Sequence, residues 1–217
     1  MAVARRLGMF FICDLQEKFR PAIYNFSQVI VTTQKILKVA KILNIPVFAT
    51  TQSRAKLGET CKELGLDGES DDATKEGIKT VAHVDKTAFS MMVPELRKAF
   101  DALPSSSASN GSGGIDKKEV VIVGIESHIC VTQTTLDLLR EGHKVYILAD
   151  GVSSCNTEEV PIALARLRAE GAVVTTSESW MYECMGDAGI SEFRDIAKVV
   201  KEFNFKTKEV LQSLCKI

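Results

Sequence analysis

No apolar run in the 217 residues approaches the roughly 20 that a membrane span requires. The longest, Met9 to Cys13 and Glu119 to Ile125, have the length of β-strands. Charge of one sign is missing as well: 27 basic against 28 acidic residues leave a net charge of -1, so no field draws nucleic acid or an anionic membrane to the surface. No G-x-G-x-x-G follows a strand and no G-x-x-x-x-G-K-[ST] occurs, which removes the main support for a dinucleotide or P-loop site. The histidines, His83, His128 and His143, lack H-x-H or H-x-x-x-H spacing, and the six cysteines form no C-x-x-C pair. The expectation is therefore no metal, no cofactor and reduced thiols. Two arginines near the N-terminus give way within eight residues to an expected core strand, so no signal peptide is expected. A cytoplasmic protein without nucleic-acid or membrane partners is expected.

What is present describes an ordinary globule, 45% hydrophobic and 25% charged, with enough chain for one large domain over residues 1–217. Short β-rich runs at 8–13, 46–50, 81–84, 119–123, 144–149 and 172–176 alternate with helical periods at 27–43, 94–102, 130–141 and 158–170, and a further helix opens near Ser177. That alternation predicts an α/β three-layer sandwich: a mostly parallel six-stranded, Rossmann-like sheet with helices on both faces. The Ser/Gly-rich stretch 104–118 reads as a flexible surface loop. Residues 61–79, with acidic residues around Glu69 to Asp72, read either as a cover near the site mouth or as a solvated insertion. The segment 191–217 reads as one or two amphipathic helices.

Cys130 stands where the apolar strand Val120 to Val123 turns at Gly124 into a helix whose stripe is Val131, Leu136, Leu138 and Leu139. A thiol capping a helix sits in a field that favours its anion. The alternative is a small apolar residue packed between sheet and helix. A nucleophile needs company. In an open α/β sheet the strand carboxyl ends share one edge, and there Asp14 follows the first strand and Lys86 the 81–84 strand. Taken singly, Asp14 reads equally as a loop or cap carboxylate and Lys86 as a solvated lysine.

The segments C-D-L-Q at 13–16, D-K-T-A-F-S at 85–90, G-I-E-S-H-I-C-V-T-Q-T at 124–134 and A-D-G-V-S-S at 149–154 resemble the isochorismatase-like cysteine hydrolases. The match spans nearly the whole chain and is closest to the isochorismatase-domain-containing subgroup. The resemblance implies a triad of Asp14, Lys86 and Cys130, a cis Ile125–Glu126 peptide, and an oxyanion hole at backbone N–H groups near Glu126 and Cys130. It further implies substrate-binding positions at Ile125, Gln16, Phe19, Gln52 and Phe89. The implied reaction is cysteine-dependent hydrolysis of a small carbon–nitrogen substrate through a thioester, with a catalytically idle interaction module as the rival. Segment 50–58 lacks the histidines by which the nicotinamidase branch holds metal, and Ser53-Arg54 replaces the subgroup's Tyr-Pro pair. Phe193, Ile196, Val199, Val200, Phe203 and Phe205 form an apolar cluster beyond the last strand. With the family's habit of assembling, it points to a homo-oligomer, a dimer or higher; packing within the chain is the alternative.

Overall fold

A computed structural model describes residues 8–66, 78–104 and 117–215. Six strands form the sheet: β1 (Met9–Cys13), β2 (Val47–Gln52), β3 (Thr80–Lys86), β4 (Glu119–Ile125), β5 (Lys144–Ser153) and β6 (Val173–Thr175). Their order is β3-β2-β1-β4-β5-β6, and every strand pairing is parallel, which sharpens the expected mostly parallel sheet. The connecting helices are α1 (Phe26–Leu43), α2 (Arg54–Leu57), α3 (Pro94–Asp101), α4 (Thr132–Arg140), α5 (Glu159–Ala169), α6 (Ser177–Met185) and α7 (Phe193–Leu214).

The central strand shows why both faces are covered. All of β1 is buried, so its sequence is a continuous apolar run rather than an alternating one. Successive side chains nevertheless point to opposite faces. Phe10 and Ile12 join α1, α6 and α7 in one core, while Met9, Phe11 and Cys13 join α3, α4 and α5 in the other. In the second core Phe100 of α3 stands edge-on to Phe11 and Phe48 at centroid distances of 5.7 and 6.1 Å. Truncating such a ring costs about 3–5 kcal/mol. The first core is closed by α1, which ends at Asn44; its left-handed backbone and N–H to Lys41 O stop the helix before Pro46.

One expectation is corrected, and two readings that were left open are decided. Strands β2, β3 and β5 run further than their apolar runs, to Gln52, Lys86 and Ser153, because polar residues at the carboxyl edge keep the ladder. The apolar cluster after the last strand is largely internal: Ile196, Val199 and Phe203 are buried, Phe193 and Val200 pack on the same core, and Phe205 alone of the six is exposed, at 73%. Helix α7 is one continuous element laid against α1, so much of its stripe packs within the chain. Most of the 104–118 loop, residues 67–77 of the 61–79 segment and the first seven residues lie outside the described residues.

Candidate active site

The strand order reverses direction between β1 and β4, and this is where an open α/β sheet offers its crevice. Cys13 of β1 lies opposite Gly124 of β4. Gly124 has φ +116, and a Cβ there would come 2.1 Å from the Cys13 carbonyl oxygen, so only glycine permits this approach of the two strand exits. Beyond Cys13 the chain turns at once, with Asp14 in the left-handed region at φ 52. The Ile125–Glu126 peptide is cis, followed by a π-helical turn, Ser127–Val131, that runs into α4.

The buried Asp14 carboxylate is held from three sides. Lys86 Nζ donates to Oδ2 at 2.7 Å, Thr50 Oγ1 to Oδ1 at 2.8 Å, and the Cys13 thiol to Oδ2 at 3.5 Å. Lys86 is itself locked, donating to Gln52 Oε1 at 2.7 Å and to the carbonyls of Ala88 and Phe89 at 3.2 and 3.1 Å. Burial works to lower the Lys86 pKa, but the negative charge available on Cys13, Asp14 and Cys130 and the hydrogen bond to Asp14 outweigh it and hold the ammonium above its ordinary value. The Cys130 sulfur, 7% exposed as a residue, lies with the Cys13 sulfur and an Asp14 oxygen in a cluster whose members are all within 4.8 Å. Burial, the hydrogen bond to Cys130 and the charge of Asp14 push the Cys13 thiol well above the usual range.

Asp14, Lys86 and Cys130 are thus brought together from β1, β3 and the turn after β4. Cys130 does not cap its helix. Helical hydrogen bonding begins at the Glu126 carbonyl, which accepts from Ile129 and Val131, and puts Cys130 at the fourth position of the first turn, still within reach of the dipole. Ile125 is buried in the sheet, while half-buried Glu126 accepts from the Cys155 N–H at 2.8 Å.

The expected substrate-binding residues divide. Gln16 is fully buried, and both its amide hydrogens are engaged by Gln52 O and Gly58 O at 3.2 and 2.7 Å, while Oε1 accepts from Gln52 N. It staples the β1 turn to the end of β2, a role that leaves no donor for a substrate. Gln52 turns its oxygen to Lys86 and its amide nitrogen to Thr87 O. Phe19 packs partly buried against the first core, and Phe89 is half-exposed beside the Lys86 contacts. Sequence reasoning missed Thr50 and Cys13. An interior-facing threonine at the carboxyl end of the strand beside Asp14 was the available signal for the first.

Cys13, Asp14 and Cys130 could offer ligands to a metal, but Lys86 already occupies Asp14 Oδ2 with a positive charge. The histidines stay dispersed: His83 pairs with Thr60, His128 with Ser154 and His143 with the Lys118 N–H. A cavity of about 570 Å³ between α5, β6 and the end of α7 is mostly apolar, lined by Pro161, Leu164, Val174 and Leu214, and its one thiol, Cys215, is pushed up to about 11 by burial. No helix among the described residues is long and apolar enough to cross a membrane.

The family model for the isochorismatase domain matches residues 8–179. A secreted isochorismatase effector of Phytophthora sojae is 37% identical over 93% of this chain and 91% of its own length. Isochorismatase domain-containing protein 2 of Homo sapiens is 38% identical over 90% and 83%. Among solved structures, a MAR1 ribonuclease from Caenorhabditis elegans superimposes with a TM-score of 0.75 at 31% identity, covering 93% of each chain.

Proposed function

Because the chain belongs to the isochorismatase family of hydrolases, we propose that it hydrolyses a small amide-type substrate with Cys130 as nucleophile. The observation that carries this reading is the buried Lys86–Asp14 ion pair, 2.7 Å long, with the Cys130 sulfur inside the same cluster. Asp14 takes the thiol proton, and Lys86, paired with its Oδ2, holds the carboxylate in place. The spacing within the cluster is loose for proton transfer, as is common without substrate, and tightens when a carbonyl is seated.

The thiolate adds to the carbonyl carbon, and backbone N–H groups near Glu126 and Cys130 hold the oxyanion. Collapse breaks the carbon–nitrogen bond, and the leaving amine or ammonia takes the proton held by Asp14. A water, deprotonated by Asp14, then attacks the thioester; the acid departs and the Cys130 thiol is restored. Phe89, at the mouth, packs on the substrate's apolar part. The substrate is a small molecule, with no metal, cofactor or membrane in the reaction, and one domain carries the whole of it.

Two other readings are tested together with this one. An idle interaction module would keep the fold without turnover. The ribonuclease named for the Caenorhabditis elegans structure suggests RNA, but a net charge of -1 offers a polyanion no general attraction. A screen of amides for ammonia release, with an RNA-cleavage arm and Cys130→Ala as blank, separates the three. The expected result is ammonia release abolished in the variant. RNA cleavage that survives Cys130→Ala replaces the proposal, and silence in both arms favours the idle module.

A further inference from the structure

The mechanism leaves a second thiol unused. Cys13 is fully buried at the end of β1, its sulfur within 4.8 Å of the Cys130 sulfur and 3.5 Å from Asp14 Oδ2. Both cysteines belong to the same core, on the α3, α4 and α5 side of the sheet, so their side chains leave adjacent strand exits toward the same space. The sulfurs stand within 4.8 Å, and a disulfide would bring them to about 2 Å. We propose that Cys13 is a resolving thiol for Cys130, so that a hydroperoxide converts the pair into a Cys13–Cys130 disulfide that reversibly masks the nucleophile. This rests on the reading of Cys130 as the activated thiol.

The division of labour follows from exposure. Cys130 retains some accessible surface and Cys13 none, so a small peroxide meets Cys130 first. The Cys130 thiolate attacks one peroxide oxygen, the O–O bond breaks, and hydroxide leaves to become water on taking a proton; sulfur is oxidised by two electrons to the sulfenic acid. Cys13, losing its proton to Asp14 Oδ2, then attacks the Cys130 sulfur. The S–O bond breaks, and the departing hydroxide recovers that proton as a second water. Lys86 favours the second step, because its ammonium works against the burial that disfavours the Cys13 thiolate. The same charge disfavours the alternative of a metal ion bridging the two sulfurs and Asp14.

The test is peptide mapping of the full chain after a low dose of hydrogen peroxide, without reductant. The expected product is a linked pair of peptides containing Cys13 and Cys130, with a loss of about 2 Da that dithiothreitol reverses. In Cys13→Ser the same dose is expected to carry Cys130 on to the sulfinic acid, a gain of about 32 Da that dithiothreitol does not reverse. Sulfinic acid on Cys130 of the unaltered chain without a linked peptide overturns the proposal. So does a Cys130 left unmodified, or linked mainly to another cysteine. The unaltered chain decides the matter even if the variant folds poorly. Because the readout is mass, a crosslink without any amide turnover removes the hydrolase reading alone. Cys130-dependent turnover without a crosslink removes this one alone.

Discussion

Lys86 and Lys35 are both buried, and the molecule treats them in opposite ways. Lys86 lies at the carboxyl edge of the sheet in contact with Asp14, Gln52 and two carbonyls, and its ammonium is held above its ordinary pKa. Lys35 lies between α1 and α7, donating to Thr207 Oγ1 at 3.0 Å; burial pulls its pKa down, and the carboxylates of Asp150 and Glu178 oppose this only from a distance. Burial alone therefore does not set the charge of a lysine. A carboxylate in contact repays desolvation, whereas a hydroxyl does so only in part. The edge is built to keep charge, while the helical layer tolerates it.

The largest effect expected is at the edge. Lys86→Met strands a buried carboxylate and is expected to destabilise by about 3–5 kcal/mol in denaturant unfolding. Adding Asp14→Asn should recover a good part of that loss, because the pair rather than either member is the unit. A Lys86→Met chain within about 1 kcal/mol of the parent would show that the edge does not depend on this charge. Next in size is Gly124→Ala, expected to lose about 3 kcal/mol from the backbone collision with Cys13.

In the helical layer, Lys35→Met is expected to fall within about 1 kcal/mol of the parent at neutral pH or to exceed it in stability. The sign of the pH dependence follows from linkage. With its folded-state pKa lowered, Lys35 binds less proton folded than unfolded between that value and the unfolded one of about 10.4, so its penalty is present at neutral pH and fades through that window. The parent should therefore gain stability relative to Lys35→Met as pH rises. Lys86 behaves the other way: its stabilisation is complete below about pH 10.4 and is lost as pH climbs through its raised folded value. Thermal melts of parent and both variants across the alkaline range read the two trends directly.

Thiol labelling sharpens the picture further. Alkylation at neutral pH with mass mapping is expected to reach Cys130 ahead of Cys61, pushed up to about 12 by burial, and Cys215, at about 11. Exposed Cys155 is the control for access, its thiol raised by a hydrogen bond to Glu126. If Cys155 is consumed first, exposure rather than activation governs reactivity. The smallest effect is expected for Phe205→Ser, within about 0.5 kcal/mol in stability. Light scattering of that variant and the parent tests self-association, which with α7 packed inward rests on Phe205 and other exposed residues such as Ile162 and Val173.

The α/β alternation and the places of Asp14, Lys86 and Cys130 were legible because each rule is local: an apolar run, then a polar residue at or just beyond its carboxyl end. Cys13, Thr50 and the structural task of Gln52 were not. Their partners are fixed by strand order and register, Cys13 against Gly124 and Thr50 beside Cys13, which no single segment contains. The α7 stripe was left with two readings for a related reason. Its period announces an apolar face, but only the packing of α1 across the sheet tells what covers it.

The central position of β1 bears on how the chain is made. Its two neighbours are β2, beginning at Val47, and β4, beginning only at Glu119. While a ribosome is still extending the chain toward that point, Phe10 to Cys13 present an unpaired edge of apolar backbone, the kind of template on which nascent chains aggregate. The inner edge of the half-sheet β3-β2-β1 can therefore be covered only after residues 119–125 have been made.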